Sequence, residues 1–297
     1  MASITAIDEK TGRKFLLDEP DDLKPGEPLT FLLNLHGGGS VGAWQRLYFP
    51  AFDYANTYRL VIATPSAATK EPFRRWVRDA DDEHLHNVVE QVFAKYGKPA
   101  IKSFWLVGHS QGGMTSNRLL ATDDFFKQRV DGWLSLSGGR IGRIELPAAF
   151  FPGVIAPMPA DMAARPDGAR PGRASTPDCD VSFIFSCGQH EMVALPDSSP
   201  WAEKYGAGPR VRLPDVIDEQ PGQVHDTVRE GKSNPAWGLL PRPGTAEVYV
   251  YPNARDGRVI ADVVRLDKGH TEGLEPKVTE QLLKLLVSAP GGKAQRA

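Results

Sequence analysis

The sequence predicts an α/β fold: a mostly parallel, doubly wound sheet with helices on both faces. Three observations carry this. Apolar, strand-like runs alternate along the chain with helix-like patterns, the order expected of βαβ units. Several of those runs are apolar on both faces, which suits strands buried inside a parallel sheet. One of them ends in "GHSQG" (108–112), where a strand-like run passes straight into a helix-like one.

The strand-like runs are "LTFLLNLH" (29–36), "RLVIATPS" (59–66), "SFWLVGH" (103–109), "VDGWLSLSG" (130–138), "VSFIFSCG" (181–188), "AEVYVYP" (246–252) and "RVIADVVRL" (258–266). Each combines β-branched or aromatic residues with turn residues at its ends. "DDEHLHNVVEQVFAKYG" (81–97) reads as a helix with Leu85, Val88, Val89, Val92 and Phe93 on one face and Gly97 at its C-terminal end. His84 and His86 fall on this helix and are expected to be solvated. "EPKVTEQLLKLLVSA" (275–289) is a second helix, with Pro276 in its first turn. Residues 140–178 and 207–245 break the rhythm. Both are rich in proline and are expected as long loops inserted in a single domain spanning 1–297. The tail "GGKAQRA" is expected to fray.

Composition narrows the function. The chain has 297 residues, 41% hydrophobic and 24% charged, with a formal net charge of -2. That is enough for a sizeable core, and it lacks the basic footprint of a nucleic-acid binder. Scattered Lys and Arg make a poor membrane-surface patch. No apolar run reaches the roughly 18 residues of a bilayer span. "MASITAIDEKTGRKF" has no basic region followed by an apolar stretch, so it does not read as a secretory leader. Cys179 and Cys187 bracket one strand-like run, roughly 26 Å apart if extended. They are not expected to pair, because disulfide-bonded Cα atoms lie within about 7 Å. A reducing, cytoplasmic setting follows, or secretion if a leader had been removed.

The chemistry centres on Ser110. In Gly108-His109-Ser110-Gln111-Gly112 a sharp strand-to-helix turn leaves no room for Cβ atoms at the flanking positions. The turn would lift the serine hydroxyl beyond the carboxyl end of the sheet. A serine hydroxyl is a weak nucleophile until a base takes its proton. His270, in "LDKGHTEG" after the last strand, is the histidine that the chain order serine, acid, histidine selects. The carboxylate that orients it belongs on a loop between the two. Glu191, after the strand ending at Gly188, is the expected acid, with Asp197 and Asp180 as rivals. An oxyanion hole needs backbone N–H groups that can approach a ligand. "LNLHGGGS" (33–40) supplies Gly37 or Gly38, and Gln111 supplies the second donor. The same glycines could cradle phosphate, but no G-K-[ST] follows and the spacing is not G-x-G-x-x-G. His109, Trp44, Trp237, Phe150 and Phe151 are candidate walls of the substrate pocket.

With these residues in place the chain resembles α/β-hydrolases, and within them the esterase group that includes polyhydroxybutyrate depolymerases and feruloyl esterases. The resemblance runs from about residue 29 to 288 and rests on "LLNLHGGG", the acidic-start helix 81–97, "SQGGMTSNRLL", "WAEKYGA" (201–207) and "KGHTEGLEP". That group often has Cys where this chain has Gly38 and Ala207, and Asp where it has Glu191. "HGGG" is also similar to the hormone-sensitive-lipase group, whose elbow usually reads G-D-S-A-G, so that group ranks second. The resemblance implies the α/β-hydrolase fold and a serine carboxylic ester hydrolase with a Ser110–His270–Glu191 triad and no metal or organic cofactor. Small soluble esters are the expected partners, with no nucleic acid or membrane. Polyester or feruloyl substrates, and amide or C–C bonds, are the alternatives.

Overall fold

The computed structural model describes residues 1–142, 144, 146, 147, 175–224 and 234–297. The chain starts with an antiparallel hairpin, β1 (Ala2–Ile7) and β2 (Lys14–Glu19). Neither strand is legible as an apolar run. β1 is mostly exposed, Ile4 and Ile7 included, because it forms one edge of the sheet. There follow β3 (Leu29–Leu35), helices α1 (Gly42–Tyr48) and α2 (Ala55–Tyr58), β4 (Leu60–Pro65), the long helix α3 (Arg78–Tyr96) and β5 (Ile101–His109). Then come α4 (Gln111–Thr122), α5 (Asp124–Arg129), β6 (Gly132–Leu136), β7 (Ser182–Gly188) and α6 (Pro200–Lys204). The chain closes with β8 (Val211–Arg212), β9 (Val216–Ile217), β10 (Thr245–Val250), β11 (Ile260–Arg265), α7 (Pro276–Ser288) and α8 (Lys293–Arg296).

The strands form one sheet in the order β1-β2-β4-β3-β5-β6-β7-β11-β10-β8, with β9 also paired to β10. From β4 to β11 every pairing is parallel. All seven expected strands are present at the centre or flank of this sheet. The strand order reverses between β3 and β5, so the crevice at their carboxyl ends is the switch point where α/β folds place ligands.

Side-chain parity divides the core between the two faces. Phe31, Leu33, Phe104 and Leu106 pack with Leu85, Val88, Val89, Val92 and Phe93 of α3. Leu32, Trp105 and Val107, the alternate residues, pack with Val278, Leu282, Leu283 and Leu286 of α7. Burial on both faces explains why these strands read as continuous apolar runs rather than alternating ones.

Three expectations need correction. The 207–245 stretch is not simply a loop, because β8 and β9 within it extend the sheet through short antiparallel pairs. The C-terminal tail is docked: Ala294 is fully buried, and the Lys293 N–H bonds Asp131. His84 is buried rather than solvated, its Nδ1 2.8 Å from Asp8 in the turn after β1. Burial opposes charge on Asp8, but hydrogen bonds from Thr11, His84 and Asn87 outweigh it and lower that carboxyl to about 2.

Candidate active site

The site is built where β5 ends. Gly108 is the penultimate residue of the strand and Gly112 lies in the first turn of α4, and the two backbones almost touch. A Cβ on Gly112 would lie 2.2 Å from the Leu35 carbonyl oxygen, and one on Gly108 would lie 2.3 Å from Gly112. No larger residue fits either position. Between them Ser110 is forced to φ 49° and ψ −116°, a strained conformation for a residue with a side chain. The elbow thereby presents the hydroxyl above the sheet at the start of a helix.

His270 follows β11 and reaches back to it. Its Nε2 lies 2.9 Å from Ser110 Oγ, and its Nδ1 lies 2.7 Å from Glu191 Oε2. Glu191 sits in a short turn after β7, with only 6% of its surface exposed. Its other oxygen, Oε1, accepts from the Gly188 N–H and from Ser137 Oγ, both at 2.7 Å. The carboxylate is therefore fixed by three donors. The rival acids are elsewhere. Asp197 is an exposed side chain paired with Arg210, and Asp180 precedes β7 at the opposite end of the strand. A hydroxyl, an imidazole and a carboxylate in this sequence of hydrogen bonds can move a proton off the serine and stabilise the imidazolium that results.

The glycine loop lies alongside. Gly37 and Gly38 follow β3, and Gln111 is the first residue of α4, so its N–H belongs to the helix N-terminus rather than to the intrahelical ladder. The loop is braced by residues 73–76, which the sequence did not single out. The Gly39 N–H bonds the Arg74 carbonyl at 2.7 Å, Gln111 Oε1 accepts from the Trp76 N–H at 3.2 Å, and a Cβ on Gly38 would lie 3.3 Å from the Phe73 ring. Phe73 remains 37% exposed and borders this corner of the site.

The His270 loop has a charged foundation. Arg265, buried at the end of β11, bonds the carbonyls of Glu272 and Gly273 at 2.7 Å and pairs with Glu275 at 2.9 Å. Lys268 reaches Glu275 at 2.9 Å from the other side. Glu272 Oε1 accepts the N–H groups of Gly269 at 3.0 Å and Leu239 at 3.1 Å. Burial alone would raise the Glu275 carboxyl, but Arg265 and Lys268 hold it below its ordinary value. Removing one member would strand a buried charge, so the loop is held as a unit.

The expected pocket walls divide. The Trp237 ring lies 5.0 Å from the His270 ring, and its carbonyl accepts the Thr271 N–H at 2.8 Å, so it borders His270. Trp44 is half-buried on α1, the helix after the glycine loop. Phe150 and Phe151 lie outside the described residues. His109 is corrected: it is buried beneath the site, 7% exposed, and its Nε2 lies against the His270 carbonyl.

No protein-family model matches the chain, and no curated protein sequence matches it. Among solved structures, an acetyl xylan esterase from Aspergillus awamori aligns over 96% of this chain and 100% of its own, with 13% identity and a TM-score of 0.51. The chain has the α/β-hydrolase fold. A butyrate-bound esterase from Thermogutta terrifontis aligns over 63% of this chain and 72% of its own at 14% identity and a TM-score of 0.42. A fluorophosphonate-binding serine hydrolase from Staphylococcus aureus aligns over 63% and 78% at 16% identity and a TM-score of 0.39. In an α/β-hydrolase the elbow serine follows a central strand, and the acid and histidine follow later strands in that order. Ser110 follows β5, Glu191 follows β7 and His270 follows β11, in that same chain order.

His36, at the head of the glycine loop, gives the site a pH limit. Its Nδ1 donates to the Gly37 carbonyl at 2.7 Å and its Nε2 accepts from the Ala67 N–H at 3.0 Å, a pairing only the neutral ring can make. Burial depresses it from 6.5 to about 4. The folded state thus binds this proton less tightly than the unfolded chain. Its stabilising contribution is complete above pH 6.5 and is lost as pH falls toward 4, about 3 kcal/mol in all. His84 and His109, also lowered chiefly by burial, act in the same direction. Urea unfolding at pH 7 and pH 4.5 should show the loss, and His36→Asn should flatten part of it. Equal slopes for both proteins would remove the assignment to His36.

Proposed function

We propose that the chain is a serine carboxylic ester hydrolase working through an acyl-enzyme on small soluble esters. The observation that carries the reading is the hydrogen-bonded run from Ser110 Oγ through His270 to Glu191, at 2.9 and 2.7 Å, at the sheet's switch point. Ser110 attacks the acyl carbon while His270 Nε2 takes its proton. The developing oxyanion faces the amides of Gln111 and of Gly37 or Gly38. His270 then passes the proton to the leaving alkoxide, and water repeats the sequence to release the acid. Glu191 keeps the imidazole in the tautomer that can accept from serine.

A partly open cavity of about 450 Å³ lies beside the acid turn, lined by Gln189, Met192, Val193, Pro235 and Ala236 among others and not by Ser110 or His270. A chain-length series of p-nitrophenyl esters beside matched anilides and an emulsified polyester tests the reading. Turnover should favour esters over anilides and short acyl groups over long ones. Rates rising beyond about eight acyl carbons or clearing of the emulsion would indicate a surface-acting depolymerase. Faster anilide cleavage would indicate an amidase.

A further inference from the structure

The residue before the nucleophile joins three parts of the site. The His109 ring lies tilted against its neighbours, its centroid 3.9 Å from that of Tyr48 and 4.9 Å from that of His270. Its Nε2 lies 2.9 Å from the His270 backbone carbonyl. A carbonyl cannot donate, so the proton is on Nε2. Tyr48 Oη donates to the same carbonyl at 3.2 Å. On the opposite edge, His109 Nδ1 lies 2.8 Å from where a Cβ on Gly37 would sit, so the ring is seated directly against the glycine loop.

A residue that merely fills this space would be apolar. Burying an imidazole carries a desolvation penalty that only its hydrogen bonds offset. Here the hydrogen bond goes to the main chain of the proposed base. Burial keeps the ring neutral, and the nearby His270, Arg265 and His36 also disfavour a charge on it. It is therefore a fixed donor to the His270 carbonyl.

We propose that His109 is a positioning residue that sets the register between the base loop and the oxyanion loop, through its Nε2–H bond to the His270 carbonyl and its contact with Gly37. The inference rests on the proposed roles of Ser110 and His270. A displacement of about 1 Å between nucleophile and base can cost about 100-fold in rate, which is the scale of effect available to such a residue.

The test uses the full chain with p-nitrophenyl acetate, with the reactive serine titrated by a fluorophosphonate. His109→Met, similar in size but without a donor, should lose about 100-fold in kcat per titrated serine, with KM within about threefold. His109→Gln, which restores an N–H on a side chain of similar reach, should recover at least about tenfold of that loss. The far-downfield proton signal of His270 Nδ1–H should be sharp in wild type and His109→Gln and broadened in His109→Met. Equal kcat in the Met and Gln variants overturns the proposal, as does a loss confined to KM or to the thermal midpoint. If His109→Met does not fold, His109→Asn replaces it. Its donor is too short to reach the carbonyl, and equal turnover with His109→Gln is again fatal. Wild-type protein that neither labels nor turns over esters overturns this inference together with the esterase reading. Variants that all label and turn over normally overturn only the role of His109.

Discussion

Ser110→Ala is expected to lower ester turnover by roughly 10³-fold or more and to end labelling by fluorophosphonates. The residual rate would come from the oxyanion donors and substrate binding. Stability should hardly change, because alanine meets the same strain at φ 49° that serine does. Ser110→Gly should be the more stable of the two, since glycine adopts positive φ without a Cβ penalty. That pairing separates chemistry from folding: both variants lose turnover, and only one gains stability. An alanine variant that still labels one-to-one would move the nucleophile elsewhere.

The proposed nucleophile and base were legible in the sequence because their signals are local. The elbow demands Gly108 and Gly112, where a Cβ would lie 2.3 Å or less from backbone atoms, and such a demand leaves a mark within five residues. His270 was legible from chain order alone. What surrounds them was not. Tyr48, Ser137 and Phe73 touch the site from three separate loops or helices, and nothing in their immediate neighbours marks them. His109 was read as a pocket wall because elbow residues are near substrate by position. Its side chain instead turns inward to a carbonyl 161 residues away. The outer strand β1 escaped notice for a different reason: an edge strand needs no continuous apolar run. The docked tail depends on Asp131, whose role as an anchor for Lys293 is set by tertiary contact.

The second large effect is expected at Glu191, and the geometry fixes its sign. In Glu191→Gln the amide must choose an orientation. Its NH₂ cannot face the Gly188 N–H, which is itself a donor to this group at 2.7 Å. The amide oxygen therefore takes the side of Gly188 and Ser137, and the NH₂ turns to His270 Nδ1. That nitrogen must then accept, which places the ring proton on Nε2, facing Ser110. An imidazole protonated there cannot take the serine proton. A drop of about 10³- to 10⁴-fold in kcat should follow, the scale seen when an orienting acid becomes an amide. The fold should survive, because the substitution keeps the shape of the side chain. Asp197→Asn, at an exposed carboxylate paired with Arg210, should stay within about twofold of wild type, since exposed ion pairs contribute little. Steady-state kinetics on the two variants beside thermal melts decide the matter. A large loss in Asp197→Asn with near-normal turnover in Glu191→Gln would reassign the acid.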